Sequence, residues 1–432
     1  MRRKTNFTHK LRTAWRVLRF LLIIIFSALL LGGAAISSGG ARAQVQARTR
    51  PIAFDFGTWT LDAAFAKFTG WALSLDRFLA PHTGPEVVLE TLEQVRLVND
   101  LQAQLLLAVS DPTVGDPEST AEPIRRSLAA AQVRLAELAP LAESALQSQL
   151  MDILEDAGLE TLGQVIPPSL FRTTDVPTSL VISPRDRIER SFDVSLNAGL
   201  SVEDMDVLEN QILADLDQSA LVVPIGGIGT YPTMVMQTAD IVWLTEVIAH
   251  EWVHNFLTLR PLGINYDTSP TLRTINETTA SLAGKELGRL ILLKYYPEFV
   301  PPEPEPPQTD PPLPSPELDP DPNAFDFRLE MRTTRVEVDR LLAERRIVEA
   351  EQYMEARRQF FWQNGFSIRK INQAYFAFYG AYNDAPGGGA AGEDPVGPAV
   401  VAYRERFDNL ADFLRSIAWV DSFEDLIGRL AT

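Results

Sequence analysis

Apolar residues recur at helical spacing in the first third of the chain. Residues 85–107 and 123–154 carry heptad-like apolar positions among Ala, Leu, Gln and Glu, a pattern typical of amphipathic helices. A turn-rich stretch at residues 111–117 separates the two segments. The pattern therefore predicts a helical hairpin or small bundle, and with it a helical domain over residues 55–165.

The spacing changes from helical to strand-like after residue 166. Val176–Ile182 and Phe192–Leu196 are short runs of the kind that predict strands. A helix is expected at Val202–Leu216, followed by a further β run and a glycine-rich turn over residues 221–231. These elements would form a small sheet, and the expected fold class is α+β, predominantly α.

Two more helices are expected in the middle of the chain. Leu244–Leu259 contains neither Gly nor Pro, and Pro261 favours a helix end just before it. A second apolar-periodic segment runs over residues 277–293. If the chain turns back over residues 260–273, the second helix lies antiparallel beside the first.

The composition changes again in the last third of the chain. Residues 297–324 are rich in proline and acidic residues, which is typical of an extended, solvated insertion. Helical periodicity then resumes, with one long helix predicted over Phe327–Phe361. Residues 325–432 are expected to form a C-terminal helical part.

The N-terminal segment is basic and then apolar. Residues 1–43 hold eight Lys or Arg and no acidic residue, and an apolar run from Phe20 to Ile36 leads to an Ala-x-Ala pattern ending at Ala43. This order is typical of a secretory signal peptide, or of an uncleaved N-terminal membrane anchor. In either case we expect an extracytoplasmic protein, secreted or anchored to the cytoplasmic membrane.

The charge and the composition limit which partners and which metal ligands the chain can have. Without residues 1–43 the chain has 31 basic and 57 acidic residues, a formal net charge of −26. A surface of that sign repels nucleic acid, so no nucleic-acid partner is expected. The chain has no cysteine, so neither disulfides nor thiolate metal ligands can form. Nothing in the composition indicates an oligomeric state.

Two of the four histidines lie in one short run, His250-Glu251-Trp252-Val253-His254. Residues four apart share one face of a helix, so both imidazoles can bind one metal ion, with Glu251 in reach of a water on it. The alternative interpretation is a buried helix whose histidines are satisfied core groups. Burying two imidazoles and a carboxylate without a metal would be costly, however. The pattern His-Glu-x-x-His is the zinc-binding signature of metallopeptidases.

The third metal ligand is expected to be a carboxylate. The chain offers no thiolate, and the remaining histidines, His9 and His82, lie far upstream of the motif. Glu277 opens the second of the two central helices. An antiparallel return of that helix would bring Glu277 beside His250 and His254, which completes a set of three protein ligands.

These residues resemble the active site of the gluzincin superfamily of zinc peptidases, which includes thermolysin-like enzymes and many aminopeptidases. In that superfamily a helix with His-Glu-x-x-His is followed by a second helix with an Asn-Glu pair, here Asn276-Glu277. The resemblance implies a zincin-like catalytic core over residues 166–296, with the small sheet beneath the first helix. It also implies that the three residues above bind Zn2+ and that Glu251 is the general base.

The same resemblance implies that a strand borders the substrate cleft. An edge strand just before the zinc-binding helix pairs with the substrate backbone, and glycines in the run Leu221–Tyr231 would let a peptide approach closely. One position departs from the family pattern. Ser281 stands where an Asp often orients a ligand histidine, so that role falls to another residue or is weaker.

A zinc peptidase also needs a donor for the oxyanion of its tetrahedral intermediate. No histidine follows His254, so the donor must be a Tyr or an Arg. Tyr375 and Tyr379 fall on one face of a predicted helix and are the expected donors. Ordinary packing of buried tyrosine rings is the alternative interpretation of that face.

The sequence thus predicts an exported zinc-dependent metallopeptidase that hydrolyses a peptide or protein substrate through a zinc-activated water. Two other interpretations stay open. One is a non-catalytic envelope scaffold or binding protein with a structural or relic zinc site. The other is a zinc-dependent hydrolase of a non-peptide amide, such as a cell-wall fragment. The sequence does not distinguish an endopeptidase from an aminopeptidase.

Overall fold

The computed structural model describes residues 40–72, 84–110, 116–161, 163–302, 325–380, 392 and 394–431. This part of the chain is predominantly helical with small sheets, as the α+β, predominantly α prediction requires. The helices are α1 (Ala41–Thr49), α2 (Phe56–Ala72), α3 (Gly84–Ser110), α4 (Pro117–Asp156), α5 (Val202–Leu216), α6 (Ile241–Leu257), α7 (Pro261–Ile264), α8 (Pro270–Tyr295), α9 (Phe327–Ala343), α10 (Ile347–Gln363), α11 (Gln373–Tyr379), α12 (Val396–Arg404), α13 (Leu410–Ile417) and α14 (Phe423–Ala431). The strands are β1 (Glu160–Thr161), β2 (Gln164–Val165), β3 (Phe171–Thr174), β4 (Thr178–Pro184), β5 (Phe192–Leu196), β6 (Gln218–Val223), β7 (Gly227–Ile228) and β8 (Thr233–Met236).

The predicted helical hairpin is formed by α3 and α4, which pack along one another. Its buried side chains divide between two clusters, of which a small one, Val95, Val98, Ala131 and Leu135, lies within the hairpin itself. Leu146, Leu150 and Leu154 of α4 belong to the same apolar cluster as the inner faces of α6 and α8. Tyr296 at the end of α8 also donates a hydrogen bond of 2.9 Å to Gln149. One end of the hairpin is therefore a wall of the central core, and the helical domain over residues 55–165 stays a prediction.

The strands form two separate three-stranded sheets besides the short β1–β2 pair. The first has the order β5-β4-β6 and is antiparallel, with Val181 opposite Leu221 and Asp193. Helices α5 and α11 contact this sheet. The second has the order β3-β8-β7, with β3 parallel and β7 antiparallel to β8. The strands that contact α6 are β7 and β8. The strands predicted at Val176–Ile182 and Phe192–Leu196 belong instead to the first sheet, where β4 pairs with both β5 and β6.

The single helix predicted over Phe327–Phe361 is two helices, α9 and α10. Arg345 adopts the left-handed conformation with a φ of 60°, and the amide of Arg346 bonds back to Leu341 over 2.9 Å. This is a Schellman-type helix end, usually made by glycine. The break lets both helices turn their apolar sides, including Val338 and Met354, into one cluster. No glycine or proline marks the break, so periodicity alone does not reveal it.

Helices α6 and α8 are antiparallel neighbours, as the turn over residues 260–273 predicts. Two glycines of α8 allow their backbones to meet. A Cβ atom at Gly284 would lie 2.9 Å from the Cβ of His250, and one at Gly288 would lie 2.9 Å from the amide nitrogen of Glu246. A residue larger than glycine at either position would collide with α6. The two helices are therefore held at a fixed, small separation.

The first helix lies at the C-terminal end of the predicted signal or anchor, whose residues 1–39 lie outside the described part. Ala41–Ala43 form the first turn of α1, and Val45 two residues later is fully buried in the cluster around β5. No helix among the described residues is both long enough and apolar enough to cross a membrane. Residues 303–324, most of the predicted proline-rich insertion, also lie outside the described residues.

Candidate metal centre

Helix α6 presents the two histidines on the side opposite Trp252, towards α8. Asp240 caps the helix, since its carboxylate accepts hydrogen bonds from the amides of Val242 (2.9 Å) and Trp243 (3.2 Å). Trp252 is buried and donates its indole N–H to the carbonyl of Pro167 over 2.9 Å. With that face fixed, the residues on the other side are held towards α8.

Three ligand-type atoms meet between α6 and α8. The Nε2 atoms of His250 and His254 lie 3.0 Å apart. Oε2 of Glu277 lies 3.6 Å from the first and 3.5 Å from the second. Glu277 is 4 % exposed, and its Oε2 has no hydrogen-bond partner. Buried carboxylate oxygens normally have a partner, so a cation is the group that fits this triangle. The three residues could hold a metal ion.

Asn276 orients one of the two histidines. Its Nδ2 donates to the carbonyl of Leu262 over 3.1 Å, which assigns Oδ1 as the acceptor. That Oδ1 lies 2.8 Å from Nδ1 of His254, so Nδ1 carries the proton and Nε2 keeps its lone pair for the centre. Asn276 thereby takes the orienting role that Ser281 cannot fill. The sequence signal was present, because Asn276 is half of the Asn-Glu pair.

Tyr266 is a contact of the centre that the sequence pattern did not single out. It lies between α7 and α8, and its hydroxyl donates to Oε1 of Glu277. Its ring meets that of His254 edge-on, with centroids 6.1 Å apart. Arg273 supports this position, because its guanidinium lies 5.5 Å from the Tyr266 ring and binds Asp267 at 2.7 Å. A tyrosine in a connection without periodicity leaves no pattern from which to predict it.

Glu251 lies beneath the edge strand β7. Its side chain is 6 % exposed, and its Oε2 is buried without a hydrogen-bond partner. A Cβ atom at Gly227 would lie 2.6 Å from Oε1 of Glu251, so a larger residue there would displace the carboxylate or the strand. Gly229 is less constrained, because a Cβ atom there would lie 3.7 Å from the Cβ of His254. The glycine-rich run that we expected to admit a peptide thus also lets the strand itself approach Glu251.

The charges of the centre favour a cation. Burial raises the pKa of Glu251, and the neighbouring histidines act in the opposite direction. Burial lowers the pKa of His254, but the charge and hydrogen bond of Glu277, together with the charge of Glu251 and the hydrogen bond of Asn276, raise it to about 9. Burial also acts to raise the pKa of Glu277, yet the charge of His254 holds it well below its usual range. Two carboxylates around one point thus stabilise positive charge at the centre.

Tyr375 and Tyr379 belong to a different part of the molecule. Helix α11 packs on β4 and β6, and the rings of the two tyrosines contact each other with centroids 4.6 Å apart. Both line a cavity bounded by the end of β6. The structure therefore brings together His250, His254 and Glu277, with Glu251 beside them, but it places the two expected oxyanion donors in another cluster. The apolar neighbours of the tyrosines on α11 require burial against the first sheet, which fixes their side of the helix.

The arrangement offers three ligand atoms, one carboxylate next to them and one phenol that reaches the third ligand. The side chains of His250 and His254 keep 18 % and 17 % of their surface exposed, so the centre has an open side. Such a set could hold a metal ion and move a proton beside it. No family model, curated protein or solved structure matches the chain.

Proposed function

We propose that the protein is a zinc-dependent metallopeptidase. The observation that carries the proposal is the triangle of two Nε2 atoms and one carboxylate oxygen, with sides of 3.0, 3.5 and 3.6 Å. Zinc bonds to nitrogen and oxygen are about 2.0–2.1 Å long, which in a tetrahedral site separates the ligand atoms by about 3.3–3.4 Å. The triangle agrees with that spacing and would need only small adjustments.

The number of ligands favours a catalytic site over a structural one. Structural zinc sites use four protein ligands, whereas catalytic sites use three and leave one position open. Among the described residues, the group contains three ligands, His250, His254 and Glu277. The partial exposure of the two histidines is consistent with an open fourth position.

Each residue around the group then has a defined task. When bound, zinc supplies Lewis-acid chemistry, acidifying water and polarising a carbonyl group. Glu251, whose carboxylate has an unpartnered oxygen, accepts the proton of the attacking water and returns it to the departing amine. Tyr266, whose hydroxyl donates to Glu277 in the free protein, would turn that hydrogen bond to the oxyanion that develops at the substrate carbonyl. Asn276 keeps His254 in the tautomer that leaves Nε2 free for the metal.

A peptide is the substrate class that this setting favours. Strand β7 is the edge of the second sheet and passes over Glu251. An extended peptide can add to such an edge by main-chain hydrogen bonds, which would bring its carbonyl groups past the centre. The basic and apolar N-terminal segment further suggests that the substrate is met outside the cytoplasm.

The low exposure of Glu251 favours a second candidate, a structural or relic zinc site in a non-catalytic envelope protein. In that case the metal would stabilise the fold, and no substrate would be turned over. The two candidates therefore differ in turnover and agree in zinc content.

The proposal is tested on the purified protein by elemental analysis and by hydrolysis of a peptide library. We expect about one zinc per chain in the parent. Glu277→Ala should lose most of it. Glu251→Gln should keep the zinc but lower kcat by at least about 10²-fold, because the general base is gone. Glu93→Gln, a matched change on the exposed side of α3, should keep both properties.

Two outcomes would count against the proposal. A folded parent protein that contains no zinc would show that the three residues do not form a zinc site. A parent that binds zinc and melts at a lower temperature without it, yet hydrolyses neither peptides nor muropeptides, would favour the structural candidate. Hydrolysis of muropeptides alone would identify a cell-wall amide as the substrate.

A further inference from the structure

A cavity of about 870 Å³ lies in the cluster that contains Tyr375 and Tyr379, between the end of β6, the start of α9 and residues 366–370. Five of the residues that line it are aromatic: Phe325, Phe327, Phe366, Tyr375 and Tyr379. The ring of Phe366 lies 5.2 Å from that of Phe325 and 4.7 Å from that of Phe327. None of these residues contributes to the metal centre, so the cavity needs an explanation of its own.

Two tyrosine hydroxyls that line the cavity make no hydrogen bond within the described part of the chain. Tyr375 is only 7 % exposed and Tyr379 is half-buried, yet neither hydroxyl makes a hydrogen bond with a described residue. Buried tyrosine hydroxyls usually find a partner. Burial also raises the pKa of Tyr375, so the group stays protonated and can donate. A ligand with hydrogen-bond acceptors would satisfy both hydroxyls.

Among the described residues that line the cavity, the charge that a ligand could pair with is positive. Arg369 and Lys370 line the cavity, but both bind the buried carboxylate of Glu209. Asp326 also lines it, and its carboxylate caps the first turn of α9. Arg328 is exposed and pairs with no acidic group in the described part of the chain. Among the described lining residues, the charge without a partner is therefore that of Arg328.

Aromatic rings, phenol donors and a free cation together suit an acidic, proline-rich peptide. Such peptides form polyproline II helices, whose carbonyl groups have no internal partners and whose rings stack on aromatic walls. The chain itself contains an acidic, proline-rich sequence. Residues 303–324 hold nine prolines, six acidic residues and no Lys or Arg. They end next to Phe325, which lines the cavity. We propose that the cavity is a binding site for the chain's own residues 303–324.

The covalent link strengthens this pairing. A segment joined directly to the wall of its site has an effective concentration in the millimolar range, so weak contacts suffice to fill the site. At about 3.1 Å per residue the segment can extend well beyond the cavity, so its length imposes no limit. The acidic residues also match Arg328 in sign. The site does not depend on the proposed peptidase function, because it shares no residue with the metal centre.

The absence of cysteine allows a direct test on the full chain. Ser315→Cys provides a single thiol for a fluorescent dye, whose anisotropy reports how freely that part of the chain moves. We expect a higher anisotropy on the protein than on the same labelled peptide joined to an unrelated folded protein. It should fall towards the reference in Arg328→Glu, in Tyr375→Phe, and when unlabelled peptide of residues 303–324 is added in excess.

Arg126→Glu is the matched control, because this exposed arginine lies on α4, outside the cavity lining, and changes the net charge equally. It should leave the anisotropy unchanged. A dye as mobile on the parent as on the reference would overturn the proposal. So would restricted motion that survives both Arg328→Glu and the competing peptide, since the segment would then be held elsewhere.

Discussion

Tyr266 contacts two of the three metal-ligand residues, through its hydroxyl on Glu277 and its ring on His254. If it stabilises an oxyanion, Tyr266→Phe should lower kcat about 10²-fold, because one donor to the developing charge is lost. Zinc content should stay unchanged, and KM should change little. Steady-state kinetics on a peptide substrate measure both constants.

Tyr295→Phe serves as the control for Tyr266→Phe. Its hydroxyl bonds Asp152 on α4, so the change removes an equal group away from the centre. Full activity in both variants would mean that Tyr266 only packs against the ligands.

The meeting of His250, His254 and Glu277 could be predicted because two of them sit in a contiguous motif and the third lies on the next long helix. Tyr266 could not, since its position depends on how the chain turns after α7. Tyr375 and Tyr379 illustrate the opposite problem. A stripe of tyrosines at helical spacing has the same pattern whether it faces a catalytic centre or another cavity, and the pattern does not identify the neighbour.

At the scale of elements, β7 and α6 are in contact through glycine. Gly227→Ala should displace Glu251 or the strand, because the new Cβ would lie 2.6 Å from Oε1 of Glu251. We expect kcat to fall about tenfold or more while the protein stays folded, since a misplaced base transfers its proton poorly. Gly229→Ala is the matched control, because its new Cβ would have ordinary contacts of 3.7 and 3.8 Å. Equal kcat in the two variants would show that a side chain at position 227 does not disturb Glu251.

The turn between α9 and α10 offers a prediction about stability. Arg345 is exposed and has a φ of 60°, a conformation that costs a non-glycine residue about 1 kcal/mol. Arg345→Gly should therefore raise the free energy of unfolding by about 0.5–1 kcal/mol. Ala343→Gly, within the last turn of α9, should lower it by about 0.5–1 kcal/mol. Urea titrations of both variants provide the comparison, and a destabilised Arg345→Gly would refute the assignment of strain.

Most helices and several strands could be predicted from periodicity. The helix Val202–Leu216 and the strand Phe192–Leu196 have the expected bounds. The pairing of strands could not be predicted, because both sheets are assembled from short strands whose apolar content is similar. The helix break at Arg345 was also invisible, since it depends on a left-handed residue without glycine.

For the whole molecule, one apolar cluster joins the α3–α4 hairpin to the helices of the metal centre. Leu150→Ala should therefore cost about 2–5 kcal/mol and lower the melting temperature of the entire protein. Calorimetry should show one transition that moves as a unit. Leu106→Ala, at a position 64 % exposed on α3, should change stability by less than about 0.5 kcal/mol. A hairpin that melts separately from the rest would contradict a shared core.

The division into parts was the least predictable property of the chain. Periodicity reports that a helix has an apolar face but not what covers that face. The sequence therefore predicts the hairpin but not that its Leu146 and Leu150 pack into the cluster of α6 and α8. Chain-wide composition separated the N-terminal segment and the proline-rich stretch, because those differ in kind from the rest.

Gly284 and Gly288 bring the main chains of α6 and α8 together, so the spacing between the histidines and Glu277 is set by backbone and not by flexible side chains. Ions of larger radius would need that spacing to widen. Calcium takes six to eight oxygen ligands at about 2.3–2.6 Å, and the triangle offers two nitrogens and a single oxygen at closer range. If the three residues hold an ion, the helix pair would therefore favour a small one with an affinity for nitrogen over a large, oxygen-seeking one.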